Sequence, residues 1–262
     1  MQEIKTTAAR GRNLSAEAPE KSADVGKDRA QLKAVGSPGG GVKQRAGRPA
    51  VDRDTRNLIL DVAEQLFAEK GYVLTATREI AQLADIRQSM ISYYFKTKRA
   101  LFEEVFKRRA MYLSELRSRY LDELLEKTGG KPTVPEIIRA YLSPQFDLKR
   151  SGAGGLAFVR IQSRLHNEPE ELAFKLRRDV YDQCTKRYIG VLEGLLPQVD
   201  AADISWRMVF LVGTYIYMLA DVDRLEDLSD GRFRTGDPDE LIARMTNFLA
   251  TGFQAASTPR AW

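Results

Sequence analysis

The chain has 262 residues, a formal net charge of +5, 43% hydrophobic residues, one cysteine and one histidine. That length permits one large domain or two modest ones with a genuine core, while a single Cys184 excludes an internal disulfide framework and, with one histidine, cannot build the usual zinc sites, so neither metal nor cofactor is expected. No apolar leader follows Met1, and the longest uncharged stretch, Met208 to Ala220, falls short of the ~18 apolar residues of a spanning helix, so the expectation is a soluble, cytoplasmic protein with no membrane partner.

The charge is unevenly placed. Residues 1–50 carry ten Lys/Arg against five acids, so the whole net charge lies there and residues 51–262 sum to zero. The tail is rich in Ala, Gly, Ser and Lys and poor in large apolar residues, which predicts disorder, because it cannot bury enough surface to offset ordering entropy. Its end, Arg45-Ala46-Gly47-Arg48-Pro49, admits two readings. Arg45 and Arg48 could form an arm that enters a DNA minor groove, or the segment is a solubilising leader.

From Asp54 onward Leu58, Val62, Leu66 and Ile59, Ala63, Phe67 recur at four-residue spacing until Gly71, predicting a first helix. A second short helix is expected over 78–84, capped by Thr75 or Thr77, with Glu79 in its first turn. Asp85 marks a turn, Gln88 to Phe95 a third helix, and Thr97 the cap of a long fourth helix from Lys98 to about Leu125. Further helices are expected, with breaks at Thr128 to Pro132, Ser151-Gly152, near Pro169, at Pro197 and across Asp230 to Pro238. No sustained period-two alternation occurs, so the fold class is all-α. Leu172, Leu176, Val180, Cys184, Tyr188, Val191 and Leu195 describe one long amphipathic helix with Cys184 as a core thiol. Met208 to Leu219 is apolar on every side and must be buried all round, between the chain's own helices and a partner subunit. With the final helix, striped by Leu241, Met245, Phe248, Leu249 and Phe253, it is expected to form a four-helix homodimer interface through residues around 204–220 and 238–255.

Residues Arg78 to Phe95 read helix, tight turn, short helix, the spacing of a helix-turn-helix. On the second of these helices Gln88, Ser89, Ser92 and Tyr93 share one face, while Ile91 and Phe95 point to the core. Gln and Ser can bond base edges, and Tyr can reach phosphates or thymine methyls. Lys98 sits at the positive end of a helix dipole, where a cation is disfavoured unless an anion is near, so with Thr97 it is expected to clamp a phosphate. Arg78 can do the same or reach a base. Arg87 reads as a solvated charge or a nonspecific phosphate contact.

The run Ile59 to Tyr72 (ILDVAEQLFAEKGY), followed by Thr77-Arg78-Glu79-Ile80-Ala81 and Ile91-Ser92-Tyr93-Tyr94-Phe95-Lys96-Thr97-Lys98-Arg99-Ala100-Leu101, resembles the TetR/AcrR transcriptional regulators. The resemblance implies three amino-terminal helices that bind operator DNA, a larger helical domain that binds a small ligand, and a homodimer released from DNA by that ligand. By position it implies DNA contacts at Thr77, Arg78, Gln88, Ser89, Tyr93, Tyr94 and Lys98. Asp85 departs from the family's usual turn glycine but tolerates left-handed geometry. Ser92 stands where many members have tyrosine. The implied organisation is a basic tail over 1–50, a DNA-binding domain over 51–100 and a ligand-binding and dimerisation domain over 101–256, acting as a repressor.

The stretch Phe158 to Leu219 is similar to a subgroup that answers to fatty acids or their CoA thioesters, with another aromatic or lipophilic molecule as the alternative effector. Tyr141, Phe146, Phe158, Ile161, Phe174 and Trp206 could line an apolar pocket with Arg160 or His166 anchoring a carboxylate, or could be plain core. His166 itself reads as exposed or capping. An enzyme would need a convergent nucleophile, base or metal set, whereas the sole His and Cys lie in different helical segments and the acids look like solvated faces. Gly152-Ala153-Gly154-Gly155 has no preceding strand, so it is not a phosphate loop.

Overall fold

Apolar residues at helical spacing organise every element of the structure, a computed structural model that describes residues 50–219 and 224–257. The expected disordered tail and the Arg45/Arg48 arm lie outside the described residues. Among the described residues there is no strand. Helix α1 (Ala50–Leu74) buries Ile59, Ala63, Leu66 and Phe67 and breaks at Gly71, which takes φ 78° and ψ 173°. Helices α2 (Thr77–Leu83) and α3 (Gln88–Phe95) follow, joined by a turn in which Asp85 adopts φ 51°. The aspartate does what the missing glycine would have done.

Helix α4 (Lys98–Lys127) starts on Thr97, whose side chain accepts from the Ala100 amide at 3.0 Å. Helix α5 (Val134–Arg150) opens with a reciprocal capping box between Thr133 and Glu136. Helix α6 (Ala153–Arg164) follows after Gly152 at φ 113°. A short 3-10 turn, Leu165–Asn167, leads to α7 (Glu170–Leu195). Then come α8 (Ala201–Leu219), the short α9 (Arg224–Leu228) and α10 (Pro238–Gln254), capped by Asp237. The expected breaks fall where Gly and Pro place them.

The expected caps of α2 are corrected. Ala76 is its N-cap and makes no side-chain bond. Thr75 is buried and turns the other way, donating to the Gly71 carbonyl at 2.7 Å, because the end of α1 leaves carbonyls in need of a donor.

Two apolar clusters fill the interior. The first joins α1, α2, α3 and the start of α4 to α6 and the start of α7, through residues such as Phe67, Phe95, Phe102, Phe106, Phe158 and Leu176. The second joins the far half of α4 to α5, α7, α8 and α10, through residues such as Leu121, Ile138, Tyr188, Leu211 and Phe253. Burial of this apolar area is the main force holding the helices together.

The glycine run between α5 and α6 is a packing device. A Cβ on Gly155 would lie 1.8 Å from the Leu148 carbonyl oxygen, and one on Gly154 would lie 2.2 Å from Arg109 Nη2. Arg109 is held there by Glu64 of α1, which is 2% exposed and accepts from Arg109 Nε at 3.1 Å and Arg108 Nη2 at 3.0 Å. Glu64 thus corrects the expectation that the acids form solvated faces.

Candidate functional site

Helix α3 is anchored by buried Ile91 and Phe95, and its opposite face carries Gln88, Ser89, Ser92 and Tyr93, all exposed. Tyr93 is 67% exposed, and its ring meets that of half-buried Tyr94 edge to face at 5.0 Å. Tyr94 also packs against the first apolar cluster, so only part of it is available to a ligand. Gln88 Nε2 lies 3.4 Å from Thr77 Oγ1 and ties the start of α3 to the start of α2, where Arg78 is exposed. The acid expected in the first turn of α2, Glu79, is paired with Lys70. The structure therefore brings Thr77, Arg78, Gln88, Ser89, Ser92 and Tyr93 onto one side of the helix pair.

Lys98 has partners that the sequence reading did not foresee. Its ammonium donates to the Val73 carbonyl at 3.0 Å and lies 4.6 Å from the centre of the Tyr72 ring. Partial burial draws its pKa below that of an ordinary lysine, with the Glu168 carboxylate pulling the other way. The Val73 carbonyl, the Tyr72 ring and the Glu168 carboxylate thus stabilise a cation at the α4 N-terminus. Glu168, which nothing in the sequence singles out, also has its Oε1 accepting the Tyr72 N–H at 2.7 Å.

The candidate pocket residues separate. Tyr141, Phe146, Phe158 and Ile161 are buried at 0–3% exposure. Arg160, by contrast, is exposed, Phe174 is 58% exposed and Trp206 is 61% exposed. Those three do not meet the other four in the core, because α6, α7 and α8 turn them outward. His166 is exposed and shares a 3.0 Å contact between Nδ1 and Arg177 Nη1. Cys184 is buried, 3.6 Å from Ser118 Oγ.

At the level where the two apolar clusters meet, the core contains polar groups. Arg117 of α4 is 1% exposed, with Nε donating to the Tyr141 carbonyl at 3.0 Å and the guanidinium 3.9 Å above the Tyr141 ring. Its Nη2 is buried with no partner, as are both amide atoms of Gln145 on α5, which is 0% exposed. Gln162 of α6 donates to Tyr181 Oη of α7 at 3.1 Å. Burial pushes the Tyr141, Tyr181 and Tyr188 hydroxyls above the ordinary phenol range, so at neutral pH they carry no negative charge, and the guanidinium has the ring faces of Tyr141 and Tyr215 beside it instead. A sequence signal for this layer existed: Arg117 interrupts the stripe Leu113, Leu121 at four-residue spacing.

Helix α8 buries one face in its own chain and leaves the other outward. Ile204, Met208, Leu211, Tyr215 and Leu219 are buried, but Trp206, Val209, Phe210 and Tyr217 remain 53–61% exposed in the single chain. Phe248 of α10 is 72% exposed, so it leaves the buried stripe of Met245, Leu249 and Phe253. An outward apolar strip of this size on one chain is characteristic of an interaction surface.

Among the described residues no helix is long and apolar enough to cross a membrane, and no group of three or more His, Cys, Asp or Glu could hold a metal ion.

Comparison with known proteins matches residues 59–105 to the family described as bacterial regulatory proteins, tetR family, and residues 139–252 to the tetracyclin repressor-like, C-terminal domain. The fatty acid metabolism regulator protein of Bacillus subtilis (strain 168) is 28% identical over 140 residues, 53% of this chain and 65% of that one. The chain matches less than two thirds of the length of such curated relatives. Among solved structures, HlyIIR, a hemolysin II transcriptional regulator, is 21% identical with a TM-score of 0.54, covering 76% of this chain and 98% of that one. The transcriptional regulator FadR from Bacillus subtilis in complex with stearoyl-CoA is 21% identical with a TM-score of 0.50, covering 75% and 98%. At those identities the two structures speak to the fold; the named relatives are regulators of transcription and not enzymes. With its helix-turn-helix and its larger helical segment both matched, the chain belongs to the TetR family of bacterial regulatory proteins.

Proposed function

We propose that the protein is a homodimeric transcriptional repressor of the cytoplasm, released from operator DNA by a small hydrophobic effector. The observation that carries this reading is the exposed polar face of α3, with Gln88, Ser89, Ser92 and Tyr93 free of the core while Arg78 flanks them. That face enters a major groove, where Gln88 and the serines bond base edges and Tyr93 meets phosphate or a thymine methyl. Thr77, Arg78, Tyr94 and Lys98 supply backbone contacts that set register. Residues 51–100 form the DNA-binding domain, and residues 101–256 bind effector and partner. The apolar strip of α8 and Phe248 of α10 support pairing of two copies through residues around 204–220 and 238–255. The relative that regulates fatty acid metabolism favours a lipophilic effector of the fatty-acid type over an aromatic one. Arg45 and Arg48 act as a minor-groove arm in this reading.

The test is binding to duplex DNA as a function of salt. Affinity should fall steeply, by about 0.9 decades per decade of salt for each phosphate contacted. No binding at low salt overturns the proposal. Removal of residues 1–44 should leave affinity intact and removal of 1–50 should weaken it; equal affinities would eliminate the arm alone.

A further inference from the structure

The polar layer between the two apolar clusters is physically expensive as it stands. A buried amide or hydroxyl left without a partner is destabilising, and an uncompensated charge is more so. Arg117 is protonated at any physiological pH. Among the described residues no carboxylate pairs with it, its Nη2 has no partner, and the Gln145 amide is unpartnered at both ends. These two unpaired groups belong together. Arg117 bonds the Tyr141 backbone, and Gln145 lies one turn beyond Tyr141 on the same face of α5. The guanidinium is fixed by that bond and by the Tyr141 ring, so its donors are already ordered for a further acceptor.

We propose that Arg117 and Gln145 form the binding site for the carboxylate of a lipophilic monocarboxylic acid. The proposal deepens, and rests on, the reading of the chain as a regulator controlled by a hydrophobic effector. One carboxylate oxygen takes Arg117 Nη2–H and the other takes the Gln145 amide N–H, a charge-assisted pair that satisfies both orphans at once. The acid's hydrocarbon chain lies among the apolar side chains that border the layer on either side.

The charge inventory sets the ligand class. Arg117 is the one buried cation among the described residues, so the site matches a single negative charge. A CoA thioester has an uncharged acyl carbonyl and several phosphate charges, for which the layer holds no counter-ions. A neutral alcohol or ester leaves the guanidinium unpaired. The surface groove between α4 and α7, about 540 Å³, is a poorer anion site, because Glu115, Asp122, Glu123 and Glu126 outnumber Arg119 and Arg187 on its walls.

The experiment uses the full-length, delipidated protein and measures binding of tetradecanoate, tetradecanol and tetradecanoyl-CoA by calorimetry. The free acid should bind at least about tenfold more tightly than either the alcohol or the thioester, the magnitude of one hydrogen bond to a charge. Gln145→Leu should weaken acid binding about tenfold yet raise the ligand-free Tm, since it removes an unpaired amide. Arg117→Met should abolish the preference for acid over alcohol; should that variant not fold, the three-ligand comparison and Gln145→Leu still decide. Equal binding of acid and alcohol, tighter binding of the thioester, or unchanged acid affinity in Gln145→Leu overturns the site. DNA affinity is measured on the same samples: selective acid binding without DNA binding overturns the regulator reading and leaves the site standing, and DNA binding without acid selectivity does the reverse.

Discussion

Glu168, just ahead of α7, accepts the backbone N–H of Tyr72 at 2.7 Å, across 96 positions of sequence. The same carboxylate oxygen would lie 2.9 Å from a Cβ on Gly71, where the chain has φ 78°. The larger helical segment therefore closes the end of α1 at a point where only glycine fits. Gly71→Ala is expected to cost about 1–3 kcal/mol through its backbone conformation, and Glu168→Ala about 1–3 kcal/mol through the lost bond. Because the clash disappears with the carboxylate, the double variant should be less destabilised than the two losses added together. Urea denaturation of the four proteins measures this, and strict additivity would contradict it.

Tyr93 and Lys98 are expected to behave differently when truncated, although both face the same DNA in the proposed complex. Tyr93→Ala removes a ring that is 67% exposed, so stability should stay within about 0.5 kcal/mol while duplex affinity falls. Lys98→Ala also removes the bond to Val73 and the contact with Tyr72, the latter worth about 0.5–1 kcal/mol. It should lower Tm and reduce the salt slope by about one phosphate contact. Unchanged affinity in both variants would refute the assigned face.

On α8, Phe210 is 60% exposed and its ring stacks on Trp206 at 5.9 Å. Phe210→Glu places a charge in the middle of the proposed dimer surface, where it would be buried unpaired. The variant should sediment as a monomer at micromolar concentration with its far-UV circular dichroism preserved. A dimer of undiminished affinity would rule out this surface.

His166 is the sole histidine, and partial desolvation of its ring, then the Arg177 charge, lower its pKa in the folded protein. With the folded value below the unfolded one, the unfolded chain takes up the proton first as pH falls. Stability should therefore be full above the unfolded pKa of about 6.5 and decline as pH drops through the folded pKa. His166→Gln should remove this part of the decline in a series of melts between pH 7.5 and 5. An unaltered pH profile would show that the group does not titrate in this way.

Helix positions and breaks were legible because they depend on local chemistry: Gly71, Thr97 and Gly152 act on their own neighbours. The outward face of α3 was legible for the same reason, since Ile91 and Phe95 set its orientation. The intramolecular partners of Lys98 were not legible, because Val73 lies 25 positions before it and Glu168 beyond α6. Trp206 and Phe174 could be read from the sequence as pocket lining or as plain core, because which side of a helix meets the core depends on its neighbours; α7 and α8 turn these two outward. Arginine is ordinarily solvated, and in the sequence only the place of Arg117 within the Leu113–Leu121 stripe points to its burial.

At Gly155 the backbones of α5 and α6 touch, leaving 1.8 Å between the Leu148 carbonyl oxygen and any Cβ that might be added. Position 155 is thus constrained by shape and is indifferent to operator or effector. In a saturation library selected for altered ligand response it should tolerate no replacement under any selection, whereas exposed Ser92 and Phe174, which is 58% exposed with the Arg178 guanidinium 5.8 Å from its ring centre, remain open to drift. Descendants of this protein could change what they sense and which promoter they occupy while keeping the same close contact between these two helices.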